Sequence, residues 1–246
     1  MIVNQSVDRD VVYQISTYGA LFEGVLDGFI SLKELRTIGD FGIGGITGLD
    51  GEILLLDGNF YHIKEDGTAG AADEAMMSSK MLISFFKADK SIWLDRPMKY
   101  QNFQGYLESL LPTKNIMYAV KIVAHFKYIK TKCFPKQIKP YPNIITIAPL
   151  KKIHELKNVK GILAGYVMPE HLNEIFGAKF HFHYLSTDKR FGGHLLDFEL
   201  FNGTVEIDGN HNLKLILPHS TDYYKADLTK TAETFKKVVS LTMEES

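Results

Sequence analysis

His181-Phe-His-Tyr-Leu-Ser-Thr-Asp-Lys-Arg-Phe-Gly-Gly-His194 reads as the end of one strand, a turn, and the start of another. Side chains two apart on a strand project from the same face, so His181 and His183 point together. Ser186 to Gly193 is turn-like, and His194 opens the following strand. If the two strands form a hairpin, His194 reaches the same face. Three imidazoles on one rigid support are the ligand set of an open metal site, with further positions left for water or substrate. A structural zinc site would be closed by a fourth ligand, often Cys, and none lies nearby in sequence. Imidazole nitrogens suit zinc, although copper, iron or nickel fit the same donors. His62, His125, His154, His171, His211 and His219 show no such grouping and read as surface or hydrogen-bonded residues.

Outward from this hairpin the chain stays rich in strands. Ile162 to Val167, Phe180 to Leu185, His194 to Leu200, Val205 to Ile207 and Leu213 to Leu217 all read as strands, and Thr229 to Glu245 as an amphipathic helix. Upstream, Tyr118, Val120, Ile122, Ala124, Phe126 and Tyr128 fall on one face of a long strand from Met117 to Lys132. Ile147 to Leu156 reads as a helix, as does Phe103 to Leu111 before Pro112. Near the N-terminus, Val11 to Thr17 is a strand and Tyr18 to Leu26 a short helix. Ser31 with Glu34 is a capping box whose helix should stop near Gly39. Gly39, Gly42, Gly44, Gly45 and Gly48 read as an irregular loop, because no Lys-Ser or Lys-Thr follows and the dinucleotide spacing is missing. Glu52 to Leu56 and Phe60 to Ile63 flank Asp57-Gly58, a favoured two-residue hairpin turn. Leu82 to Phe86 is a short apolar strand. The whole is an α+β pattern with two β-rich halves, divided at residues 1–145 and 146–246.

The bulk properties exclude several classes. The 246 residues carry a net charge of -1, leaving no electrostatic footprint for nucleic acid. Lys127, Lys130, Lys136 and Lys139 read as a solvated face. No signal segment or membrane-length apolar run is visible. The single cysteine, Cys133, allows no internal disulfide and suits a reducing cytoplasm. It reads as a buried thiol rather than a nucleophile.

The histidine segment resembles the motif of bacterial α-acetolactate decarboxylases. Tyr13-Gln-Ile-Ser-Thr17 and Gly39-Asp-Phe-Gly-Ile-Gly44 look like that family's N-terminal signatures. Leu49-Asp-Gly-Glu52, Asp57-Gly-Asn-Phe-Tyr61, Pro135-Lys-Gln-Ile-Lys-Pro-Tyr141 and Gly192-Gly-His-Leu-Leu-Asp197 match later blocks in order, from about Val11 to Asp227. The resemblance implies decarboxylation of 2-acetolactate, a small keto acid, to acetoin. It implies one Zn2+, or another divalent transition metal, on His181, His183 and His194. It also implies a mixed sheet followed by a barrel-like C-terminal part, and a homodimer. Glu52 corresponds to an active-site glutamate that delivers a proton. A second family glutamate corresponds best to Glu244, with Glu245 or Glu233 as alternatives. Two positions depart from the pattern: Lys132 stands where an arginine is expected and Gly45 where a threonine is. Lys132 could still balance a carboxylate or donate a proton. The departures leave open a related 2-hydroxy-3-keto acid as substrate. Other readings are a metal-bearing binding protein without turnover and a cupin-type oxygenase. The oxygenase ranks low, since Tyr184 to Ser186 stand where its glutamate would follow His-x-His.

Overall fold

The computed structural model describes residues 9–231, 233–234 and 236–237. Its strands form two sheets. The first contains β1 (Val11–Ile15), β2 (Ile30–Ser31), β3 (Phe41–Ile46), β4 (Glu52–Leu56), β5 (Asn59–Ile63), β6 (Ala69–Ala71) and β7 (Met77–Ser84). The second contains β8 (Lys90–Leu94), β9 (Met98–Lys99), β10 (Met117–Cys133), β11 (Lys152–Val167), β12 (Phe180–Ser186) and β13 (Gly192–Asn210). A last strand, β14 (Asn212–Ile216), returns to the first sheet and pairs parallel with β1, which makes that sheet mixed. The long antiparallel strand β10 pairs with β11 on one side and β13 on the other. Because β12 also joins β11 to β13, these four strands are linked in a ring.

Apolar alternation explains the layers. Val120, Ile122 and Phe126 of β10 pack with Leu163, Phe182, Tyr184 and Phe198, and helix α3 (Tyr100–Leu110) adds Phe103 and Leu107. The opposite face of the ring contributes Ala119, Cys133, Ala164 and Tyr166. These meet Val12, Ile43, Leu54 and Leu82 of the first sheet in a core shared by both. Cys133 is fully buried there, as a small apolar residue would be.

Local signals account for many boundaries. The Ser31 hydroxyl accepts from the Glu34 amide and the Glu34 carboxylate accepts from the Ser31 amide. This box opens α2 (Leu32–Leu35), and a 3-10 turn carries the chain on to Ile38. A still earlier helix, α1 (Tyr18–Phe22), starts from Thr17, whose side chain accepts from the Ala20 amide. Asp57 and Gly58 both take positive φ, as a tight hairpin turn demands.

Two expectations were wrong. The glycine-dense segment is not a loop: Phe41–Ile46 is β3, inside the first sheet between β4 and β7. A Cβ on Gly42 would collide with the Leu82 carbonyl and sit 2.9 Å from Met81 Cε. Glycine there reflects close packing by a neighbouring strand rather than a turn. The helix expected from Ile147 to Leu156 is also absent. Ile144–Ile147 is a single helical turn, and from Lys152 the chain is strand β11. Fifteen-fold pairing of β11 with β10, from Cys133↔Lys152 to Tyr118↔Val167, overrides local preference. Most of the tail helix expected from Thr229 lies outside the described residues.

Candidate metal centre and active site

The hairpin that carries the histidines is β12 and β13. His183 pairs directly with His194, and His181 lies two residues earlier on the same face of β12. The turn is held by Ser186, whose hydroxyl accepts from the amides of Arg190 and Phe191 at 3.2 and 3.0 Å. Gly193 lies at φ +148, and a Cβ on it would stand 2.8 Å from the Thr131 side chain of β10. A glycine is therefore required for β13 to leave the turn and join β10. The outcome is three imidazoles whose ring centroids lie 5.2, 4.9 and 5.4 Å apart. One nitrogen from each lies within 4.8 Å of the others.

Gly165 of β11 pairs with Phe182, between the two β12 histidines. A Cβ there would run into the His181 carbonyl and stand 2.8 Å from Phe182 Cα, so backbone must move. Gly165→Ala is expected to cost about 1–3 kcal/mol of stability and to disturb the spacing of the histidine cluster with it. Thermal melts and titration with divalent transition metals would check both.

The ring nitrogens are set up to bind a cation. His183 Nδ1 lies 2.9 Å from the Ile53 carbonyl oxygen, which can only accept, so Nδ1 carries the proton. Its Nε2 lone pair is then buried without a hydrogen-bond partner among the described residues. Burial pushes this histidine down to about 3, against the smaller upward effect of the Ile53 carbonyl. Glu52 Oε2 lies 3.4 Å from that Nε2. With the imidazole neutral, this is a carboxyl group beside a lone pair rather than an ion pair. His181 Nδ1 meets the Tyr18 hydroxyl at 3.0 Å. Burial, then the neighbouring cations, hold His181 and His194 well below the ordinary histidine range. Neutral imidazoles steered by outer hydrogen bonds are the form that ligates metal. An orphaned lone pair in such a cluster fits a divalent ion, and its identity does not follow from the donors.

The first sheet closes the other side. Glu52, the first residue of β4, is 6% exposed and faces the cluster. Burial raises its carboxyl well above the usual carboxylate range, while Lys132 and Lys80 pull it back. Lys132, next to the end of β10, pairs with His194 in register and so shares its face. Glu52 and Lys132, both from residues 1–145, thus meet the three histidines of residues 146–246 around a cavity of about 110 Å³. That is room for several waters or one small acid. Glu244 and Glu245 lie outside the described residues, and Glu233 is exposed. Two wall residues were missed from sequence, Tyr18 and Lys80. The only sequence hint for Lys80 is a lone charge within Ser78-Ser79-Lys80-Met81-Leu82-Ile83, and the structure buries all six residues.

The sequence pattern of alpha-acetolactate decarboxylase matches residues 12–230. The chain belongs to the alpha-acetolactate decarboxylase family. It is 36% identical over 219 residues to the alpha-acetolactate decarboxylase of Methanosarcina mazei, covering 89% of this chain and 76% of that one. It is 35% identical to that of Bacillus subtilis, covering 88% and 85%. The crystal structure of the Bacillus subtilis strain 168 enzyme superposes with a TM-score of 0.89 at 33% identity, over 93% of this chain and 98% of that one. Alpha-acetolactate decarboxylases are carboxy-lyases that convert acetolactate to acetoin. The remaining histidines stand apart from the family's chemistry. His62, His125 and His154 each hydrogen-bond to an oxygen elsewhere, of Asp50, Asn158 and Glu65. No helix among the described residues is long and apolar enough to cross a membrane.

Proposed function

We propose that this chain decarboxylates 2-acetolactate to acetoin and carbon dioxide at His181, His183 and His194, which hold one divalent metal, zinc in the first instance. The observation that carries the reading is the buried, neutral histidine cluster with an unpartnered nitrogen 3.4 Å from the Glu52 carboxyl. A metal bound there would act as a Lewis acid, taking up negative charge as the carboxylate leaves.

The chain's own residues supply the rest. Loss of carbon dioxide leaves an electron pair on the hydroxyl-bearing carbon, shared with the neighbouring carbonyl. Adding one proton to that carbon yields acetoin. Glu52 is the proton donor in this account: burial holds its carboxyl well above the usual range, so a proton is available near neutral pH. Delivery from one wall of the cavity makes the product of one hand. Lys132 faces the substrate carboxylate and keeps it in place. Ile53 and Tyr18 fix the His183 and His181 rings. The second acidic role goes to Glu244. The same reading includes a cytoplasmic location, supported by a composition with a single thiol, and a homodimer, supported by the family resemblance.

The test is acetoin release from racemic acetolactate by purified protein. Activity is expected to vanish on chelation and to return with zinc. Zinc-bound protein that releases no acetoin would contradict the reading. A panel of 2-hydroxy-3-keto acids would then find the substrate that Lys132 and Gly45 favour.

A further inference from the structure

Lys80 is a buried cation that takes no part in the proton transfer by Glu52 or in the grip of Lys132. It lies on β7 and is 6% exposed. Among the described residues, no carboxylate comes within 4.0 Å of it and no side chain or carbonyl accepts its protons. Its close contact is the ring of Tyr18, with Nζ 3.6 Å from the centroid. Burying an ammonium without a counter-ion is costly, and such a charge in the wall of a site calls for a function. Burial draws Lys80 down to about 7, with Glu52 acting in the opposite sense.

Position says what that function is. Lys80 and Lys132 both line the histidine cavity, and both act on the Glu52 carboxyl. They flank the cluster from different sides. Lys132 is paired with His194 across β10 and β13. Lys80 sits on Tyr18, which hydrogen-bonds His181. Beside Lys80 there is space. Its partner in the β3–β7 register is Gly45. A Cβ on Gly45 would meet nothing within 4 Å except Leu49 Cδ1, at 3.7 Å. The family pattern that the sequence resembles has a threonine at that position, and an arginine at Lys132. A guanidinium grips both oxygens of a carboxylate, whereas one ammonium is a point charge and cannot.

We propose that Lys80 is a substrate-binding residue, its ammonium taking one oxygen of the substrate carboxylate in the space over Gly45 while Lys132 takes the other. The inference rests on the proposed decarboxylase reading for the identity of the acid. The ligand class it defines is wider: a small 2-hydroxy acid with a free carboxylate. Two separate point charges replace one fork, so discrimination falls on charge. A neutral amide of the same shape is disfavoured, because it brings no balancing charge and its NH2 group cannot accept a proton from the second ammonium.

The experiment compares zinc-loaded wild type with Lys80→Met and Lys80→Arg. Calorimetry measures binding of 2-hydroxy-2-methylpropanoate and of its neutral amide, and steady-state kinetics measure acetolactate turnover. Wild type is expected to favour the acid over the amide by about tenfold or more. Lys80→Met is expected to lose most of that preference and to raise KM about tenfold with kcat changed far less, and Lys80→Arg to recover part of both. Lys80→Met is also expected to melt higher, since an unpaired buried charge is gone. A purely structural lysine would instead lower the melt and leave the acid–amide preference intact, which would overturn the proposal. If Lys80→Met fails to fold, Gly45→Val fills the same space and must weaken acid binding alone; unchanged binding there is equally fatal. If wild type binds the acid selectively but releases no acetoin, the decarboxylase reading fails while the Lys80 subsite stands.

Discussion

Glu52→Gln is expected to lower kcat for acetolactate by about 10²–10⁴-fold, the range for a positioned acid or base. The glutamine matches the carboxyl in shape but has no acidic proton to give. KM should move little, because the three histidines and both lysines are untouched. Metal content should also stay at the wild-type level, since Glu52 faces His183 without being one of the clustered donors. The acetoin that still forms should be racemic, because protonation then comes from water on either face. Chiral chromatography of the product and metal analysis of the variant would check these points together. Turnover within a few-fold of wild type, with one-handed product, would assign the proton to another group.

The second large effect concerns His183→Ala. This removes an imidazole that is 1% exposed, along with its hydrogen bond to the Ile53 carbonyl. Two histidines remain, too few for the three-ligand site. The variant is expected to lose stoichiometric zinc and to turn over at least about 10³-fold more slowly, as removal of a preorganised charge-stabilising group does. His125→Ala is the matched control. That half-buried residue bonds Asn158 near the middle of β10, seven residues from Lys132 and the cluster, and its loss should leave zinc and turnover unchanged. Circular dichroism of both variants separates loss of the site from loss of the fold.

Which parts of this protein could be read from sequence follows a physical pattern. The histidine face was legible because the two-residue period of a strand and a single turn are local facts, and His183↔His194 pairing followed. The capping box and the Asp57-Gly58 turn were legible for the same reason. Strand β3 was not, because glycine signals freedom locally while here it answers to the approach of β7. Residues 152–156 read as helix because their partner, the end of β10, lies about twenty residues upstream and only tertiary pairing makes them a strand. The same limit applies inside the site. Glu52 came from motif resemblance alone, as a glutamate at the start of a strand is ordinarily solvated. Lys80 and Tyr18 belong to no motif, and only the packing of β7 and α1 against the histidines gives them a role. Lys132 was set apart from the basic surface only by its place at the family's arginine position; its neighbours Lys127 and Lys130 pair with Glu199 and Glu155 at the surface while it turns inward.

The central claim is that acetoin formation depends on one metal at the three histidines. The most direct test is a titration of zinc into metal-stripped protein, with metal per chain and acetoin release measured on the same samples. Activity is expected to rise in proportion to bound zinc and to level off at one per chain, with His194→Ala showing neither tight binding nor the rise. Acetoin release by metal-free protein at the wild-type rate would contradict it.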